Sequence, residues 1–157
     1  MTTPDTAALV GMSDLDLVTA YAPLVVDRDT ADFYRGWLAR ELRVARCDDC
    51  GHTFLPPRPV CSVCWSDDVG TVAVSGRGTI FLCMLLHQGP PAPGVDYAAG
   101  PYPVVTVELD ERPGLRFTST VVGTPVADLA IGQRVVLDWI DRNGVPFPVF
   151  RIEEATA

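Results

Sequence analysis

The feature that most limits how this chain can fold is CDDCGHTFLPPRPVCSVCW, residues 47–65. It holds four of the five cysteines in a C-x2-C-x10-C-x2-C spacing. Two thiolates two residues apart grip one side of a tetrahedral ion, and a second such knuckle, returned by a hairpin, completes the coordination. Cys47, Cys50, Cys61 and Cys64 are therefore read as metal ligands. Gly51 follows the first pair, where a positive φ lets backbone amides turn toward the sulfurs. LPPRP forms a stiff connector between the knuckles, and Trp65 stands next to the second one.

Other uses of thiols fit this pattern less well. A redox Cys-x-x-Cys sits at a strand-to-helix turn without a second pair. Disulfides need an oxidising compartment. The opening MTTPDTAALVGMSDLDL has neither the basic flank nor the long apolar core of a secretory signal, so a reducing cytoplasm is the expected setting. Zinc is the expected ion, with iron in the same cage as the alternative. Four thiolates leave no open position for water, so the site is read as structural. Such zinc sites supply on the order of 10–16 kcal/mol of apparent binding energy in small modules, enough to hold a hairpin that has little core of its own.

The rest of the composition excludes chemistry. The formal charge is −8, and all twelve basic residues are arginine. Without lysine there is no Schiff base and no phosphate-loop lysine. The acidic balance opposes a sequence-independent grip on nucleic acid. No apolar run approaches the roughly 20 residues needed to cross a bilayer.

The expected organisation is an arm over residues 1–28, a helix plus four-cysteine ribbon over 29–70, and a barrel over 71–157. In the arm, Ser13 can cap a short helix with Asp16 three positions on, and the arm is expected to dock loosely. Asp29 or Thr30 can cap a second helix, ADFYRGWLAREL, in which Phe33 and Trp37, and Tyr34 and Leu38, are four apart and stack. Its internal Gly36 costs about 1 kcal/mol relative to alanine. These aromatics fit either an intramolecular core or a docking surface, because both favour the same residue types. Phe33, Tyr34, Trp37 and Leu38 are taken as candidate partner contacts. From Thr71 the texture becomes β. TVAVSGRGTIFLCMLLHQ reads as one long strand bent at Gly76 and Gly78. A proline- and glycine-rich loop follows, then YPVVTVELDE, LRFTSTVVG, a helical turn in PVADLAIG, RVVLDWID and PFPVFRIEE. Five strands, with a glycine bend in the first and a helical turn between the third and fourth, describe an OB-type barrel. From Ile80 to Leu86 the first barrel strand is apolar on both faces, which fits burial, a partner subunit or an acyl chain.

No catalytic constellation emerges. Cys83 and His87 share a strand face but stand about 13 Å apart, so core packing is the expected role of the thiol. His52 follows a knuckle that already has its ligands. Glu108, Asp110 and Glu111 flank a turn and are expected to form a solvated acidic edge.

FYRGWLARELRVARCDDCG, CSVCW, GRGTI, PYPVVTVELDE and LAIGQRV, in this order, carry a resemblance over roughly residues 31–153. The chain resembles the bacterial and archaeal family of rubredoxin-like zinc-ribbon proteins with an acyl-CoA-associated OB-fold. Trp65 departs from the small residue commoner after such knuckles. The resemblance implies a mainly β protein: N-terminal helices, a rubredoxin-like zinc ribbon and a C-terminal five-stranded OB-fold barrel. It also implies a subunit that is not an enzyme alone. It would join a thiolase-like or hydratase enzyme in a hetero-oligomer, share an acyl-CoA site with it, and take part in steroid or lipid catabolism. A sterol-carrier-type thiolase-like aldolase that cleaves CoA thioesters by a retro-aldol step is one such partner. No residue is assigned to CoA. Two readings compete. A single-stranded nucleic-acid module would need a basic groove, for which Arg77, Arg112, Arg116 and Arg134 are the barrel candidates. An electron carrier would need iron in the four-cysteine cage.

Overall fold

The computed structural model describes residues 11–89 and 95–153. It is mainly β with two short helices among the described residues. These are α1 (Asp14–Tyr21) and α2 (Ala31–Leu38), followed by eight strands: β1 (Arg43–Cys47), β2 (Thr53–Phe54), β3 (Val69–Ala73), β4 (Arg77–Leu86), β5 (Tyr102–Leu109), β6 (Arg116–Ser119), β7 (Arg134–Arg142) and β8 (Val145–Ile152). The chain divides into two compact units. One is Met1–Val74 with Asn143–Phe147, and the other is Ser75–Arg142 with Pro148–Ala157.

In the first unit, β1 is the central strand of a three-stranded antiparallel sheet in the order β2-β1-β3. Its register with β3 runs from Arg43↔Ala73 to Cys47↔Val69, and with β2 it pairs Ala45 with Phe54. The helix expected at Ser13 forms, with the Ser13 hydroxyl accepting from the Asp16 N–H. It is not a loose arm. Leu17 and Tyr21 are buried, and the Tyr21 hydroxyl donates to the Pro146 carbonyl 3.1 Å away.

The start of α2 is held differently from expectation. Thr30 occupies the cap position, but its side chain does not cap the helix N–H groups. Instead the Asp27 carboxylate accepts from the N–H groups of Asp29 and Thr30 and from the Thr30 hydroxyl, an Asx turn feeding the helix. Gly36 is explained by packing. A Cβ there would lie 2.7 Å from the Arg43 side chain and 2.9 Å from the Glu41 carbonyl oxygen. Only glycine lets α2 lie this close to the chain entering β1.

Phe33, Tyr34, Trp37 and Leu38 are 7%, 9%, 4% and 0% exposed. They form the interior of the first unit, and the assignment of these four to a partner surface is corrected accordingly. Trp37 is the hub, with ring centroids 4.9–5.5 Å from Tyr21, Phe33, Tyr34 and Phe147 in tilted or edge-on contacts. Such contacts add about 0.5–1.5 kcal/mol per pair beyond area burial.

The second unit is a curled five-stranded antiparallel sheet in the order β6-β5-β4-β7-β8. A parallel bridge between Val121 and Phe150 joins the two ends. The 3-10 turn Val126–Asp128 lies between its third and fourth strands. This is the OB-fold order. Alternation along β5 turns Pro103, Val105, Val107 and Leu109 inward, where they meet Ile80, Phe117, Val135, Val149 and Phe150 as a buried core.

The single strand expected from Thr71 is two strands. β3 belongs to the ribbon sheet and β4 to the barrel, with the break at Val74–Gly76. Gly76 has φ +72, and a Cβ there would lie 2.5 Å from the Leu137 Cβ. The chain changes sheets at a position open only to glycine.

Candidate metal centre

Each knuckle is a short closed loop built the same way. The Cys47 N–H donates to the His52 carbonyl and the Cys61 N–H to the Ser66 carbonyl. The N–H of the residue after the second cysteine donates back to the first, Gly51 to the Cys47 carbonyl at 2.9 Å and Trp65 to the Cys61 carbonyl at 3.0 Å. Closing the loop this way puts the fifth residue in the left-handed region, with φ +72 at Gly51 and +63 at Trp65. The knuckles thus demand one backbone conformation from very different residues. Trp65 does not cover the site; it is 80% exposed.

The two loops bring all four sulfurs within 4.8 Å of one another. Cys47 Sγ lies 3.5 Å from Cys64 Sγ, and Cys50 Sγ 3.7 Å from Cys61 Sγ. A tetrahedral ion with Zn–S bonds of about 2.3 Å requires S···S separations of about 3.8 Å, so the residues fit zinc. All four cysteines are free, one of each knuckle buried and the other exposed. Without a cation the sulfurs do not ionise together. The backbone N–H groups of Cys64 and Val63 draw Cys61 down to about 7. Cys64 is pushed up to about 12: the Ser66 N–H favours its thiolate, but the Cys50 and Cys47 sulfurs outweigh it. A divalent ion removes this conflict, and four thiolates close its coordination. The centre is a structural zinc site.

The other candidates fall where ordinary packing puts them. His52 stacks on Phe54 at 5.6 Å between ring centroids, and His87 is exposed. Cys83 sits opposite Val105 on β4 and is half-buried. The acidic edge is an ion-paired one. Glu108 meets Arg116 at 3.2 Å, and Asp110 meets Arg134 through two bonds of 2.6 and 2.5 Å. The bond to Arg134 holds the Asp110 carboxyl below the usual carboxylate range. Arg77 pairs with Glu153 at 2.7 Å. Three of the four barrel arginines that a nucleic-acid groove would use are therefore neutralised by carboxylates.

In the first unit a cleft of about 560 Å³ is lined by Arg28, Arg58, Asp29, Asp32 and Asp67 among others. Its signs are mixed. Exposed apolar side chains gather elsewhere, on β4: Phe81 47%, Leu82 39%, Met84 43% and Leu85 42%. The run was visible in the sequence, but its exposure on both faces was not. Ile131 and Val63, 63% and 60% exposed, had no signal at all, since single apolar residues in loops carry no period.

Comparison with known proteins follows the same division. Residues 36–70 match the family model described as ChsH2, rubredoxin-like zinc ribbon domain, and residues 71–139 match ChsH2, C-terminal OB-fold domain. The chain is 35% identical over 127 residues to a probable enoyl-CoA hydratase alpha subunit of Thermomonospora curvata, covering 80% of this chain and 38% of that protein. It is 38% identical over 117 residues to the 3-oxo-4,17-pregnadiene-20-carboxyl-CoA hydratase alpha subunit of Mycobacterium tuberculosis, covering 73% and 34%. The chain thus spans little more than a third of the length of these curated relatives. Among solved structures it matches a chain of the Ltp2-ChsH2(DUF35) aldolase with a TM-score of 0.73 and 35% identity, over 82% of this chain and 98% of that one.

Proposed function

The chain belongs to the ChsH2-type family, in which a rubredoxin-like zinc ribbon precedes an OB-fold, and from that membership we propose that it is a non-catalytic subunit of an acyl-CoA-processing complex. Its partner is a thiolase-like aldolase subunit, which carries the catalytic residues and whose acyl-CoA site this chain helps to shape. The observation that carries the proposal is the match, at 35% identity and over nearly the whole of the matched chain, to a component of the Ltp2-ChsH2(DUF35) aldolase. The hydratase relatives support the substrate class, since the name of the mycobacterial one specifies a steroid carboxyl-CoA thioester. Steroid side-chain breakdown is the pathway class this favours.

Two physical points support the division of labour. The zinc has a closed four-thiolate shell, so it offers no position at which a thioester carbonyl can be polarised. A reducing compartment keeps the four thiolates available to the metal, which supports a cytoplasmic setting for the complex. No helix among the described residues is long and apolar enough to cross a membrane. The nucleic-acid reading lacks support, because Arg77, Arg116 and Arg134 are spent on carboxylates.

Co-expression with a thiolase-like subunit from the same genome tests the proposal. The expected result is a single co-eluting complex that cleaves a β-hydroxyacyl-CoA by a retro-aldol step, with neither subunit active alone. A stable, fully active partner that never binds this chain would overturn it, and so would turnover by the purified chain alone.

A further inference from the structure

The apolar run on β4 is exposed because the sheet stops covering it. β7 pairs with β4 only at Arg77–Thr79. The last bonds on that side join Ile80 to Gln133 and Gly132. A bulge follows between Ile80 and Leu82, and from there to Leu86 the strand is paired on one side only, with Tyr102–Thr106 of β5. Its other edge has no strand partner among the described residues. Paired residues of an antiparallel ladder share a face. Leu82 and Met84 therefore lie on the Thr106 and Val104 face, and Cys83 and Leu85 on the Val105 and Pro103 face. Exposed apolar side chains, Met84 on one face and Leu85 on the other, thus flank an edge that has no strand partner among the described residues.

Such an edge is ordinarily blunted by charge, proline or a covering loop, yet Gly78–Leu86 contains no charged residue and no proline. A two-stranded ribbon is marginal in water without a further layer. Among the described residues Arg116 packs on Phe81, its guanidinium carbon 3.4 Å from the ring centroid, and Phe81 is still 47% exposed.

We propose that the Phe81–Leu86 edge of β4 is the seat of the catalytic partner subunit, which lays an uncharged, apolar surface with an extended backbone segment against it. This rests on the function proposed above and locates the contact that the α2 aromatics do not make. Area selects the occupant. At about 150–200 Å² per large side chain, the four exposed residues present roughly 300 Å². Two copies of this chain joined edge to edge would bury about twice that, below the roughly 1,000 Å² that a specific interface needs. A larger partner reaches that area by covering Ile131, next in the chain to the Gly132 that bonds Ile80, and the exposed His87 and Gln88 at the end of the strand.

The test uses the co-expressed complex. Met84→Glu and Leu85→Glu place a charge on opposite faces of the edge, and Leu15→Glu, at a 75% exposed site on α1, is the control. Each variant is first checked for one zinc per chain and an unchanged circular dichroism spectrum. The expected result is that either β4 variant binds the thiolase-like subunit about 30-fold more weakly or worse, while Leu15→Glu binds as the wild type does. Wild-type affinity should change little with salt, as an uncharged contact requires. Amide hydrogen exchange on the wild-type complex gives a second readout free of any folding defect: residues 81–86 should gain protection. Wild-type affinity in both β4 variants, or protection confined to other segments, overturns the assignment and leaves the proposed function standing. A concentration-dependent homodimer abolished by Met84→Glu reassigns the edge to a second copy and also overturns it. Failure of the wild-type chain to bind any thiolase-like subunit overturns the proposed function and the assignment together.

Discussion

The ribbon unit and the barrel unit solve the same problem with different materials. The barrel has a continuous apolar interior, with Ile80, Val105, Val107, Leu109, Val135, Val149 and Phe150 nearly or wholly inaccessible to solvent. The ribbon sheet is small, one of its strands being only two residues long. It depends on four sulfurs around one ion and on the aromatic cluster about Trp37. One unit is stabilised by area, the other by coordination and a single packed hub. The difference also separates structure from function. The metal, chemically the most conspicuous feature, is a fastening, while the proposed contact surface is on the metal-free barrel.

The sharpest way to break this comparison is to remove the metal. Chelation, or Cys61→Ser, should abolish stoichiometric zinc and unfold the ribbon, because structural zinc contributes on the order of 10 kcal/mol in such modules. Hydrogen exchange should show residues 43–73 losing protection while Val105–Leu109 keep theirs. Metal analysis after Cys83→Ala should still find one zinc per chain.

A smaller effect, of opposite address, comes from one large buried ring in each unit. Trp37→Ala and Phe150→Ala each remove a large buried ring, at about 3–5 kcal/mol. The first should weaken protection in the first unit, and the second should weaken it in the barrel with zinc content unchanged. Equal losses in both units from either variant would mean that the chain unfolds as one body, and the comparison would fail.

How much of this was open to a reader of the sequence depended on the range of the interaction. The knuckles are local, and C-x2-C twice over fixed both ligands and geometry. The barrel strands carry their own alternation, as in YPVVTVEL, and were legible too. The strand from Thr71 was misread because alternation continues through TVAVSGRGTIF while the backbone changes sheets at Gly76. Pattern records which residues are β, not which sheet they join. The aromatic helix was ambiguous for a related reason. Its burial depends on Tyr21 and on Phe147, far along the chain, and the loose arm was misjudged because the Tyr21 hydroxyl finds its acceptor 125 residues away. Exposure of both faces of β4 follows from where β7 ends, which no local signal announces.

The hub also predicts a pH response. Burial raises the Tyr21 hydroxyl above its ordinary pKa, with the nearby Tyr34 adding to the effect. The unfolded chain, ionising near pH 10, then gains stability over the folded one as the pH rises. Tyr21 therefore stabilises the first unit fully below about pH 10, and that contribution is lost above it. Melting temperature should fall progressively as the pH rises above about 10, with the loss read in near-ultraviolet circular dichroism of the aromatic cluster. Tyr21→Phe should flatten the fall and cost about 1 kcal/mol at neutral pH, because the Pro146 carbonyl loses its donor. An equally steep fall in the variant would move the effect to another group.

The smallest effect sharpens the comparison within the ribbon itself. The fifth position of each knuckle must be left-handed, and the chain fills it with glycine once and tryptophan once, at φ +72 and +63. For an L-residue this conformation costs roughly 1–2 kcal/mol. Glycine avoids that cost but has more freedom to lose on folding, roughly 0.5–1 kcal/mol. Because Trp65 is 80% exposed, Trp65→Gly gives up little packing, and the strain term should win. The variant is expected to be more stable by about 0.5 kcal/mol, with zinc retained. Gly51→Ala is the mirror experiment. A Cβ at Gly51 meets nothing within 4 Å, so its cost is purely conformational, and a loss of about 1 kcal/mol is expected. If Trp65→Gly instead destabilises the ribbon while Gly51→Ala behaves as stated, the indole ring holds the second knuckle by packing and the two loops are equivalent in backbone alone.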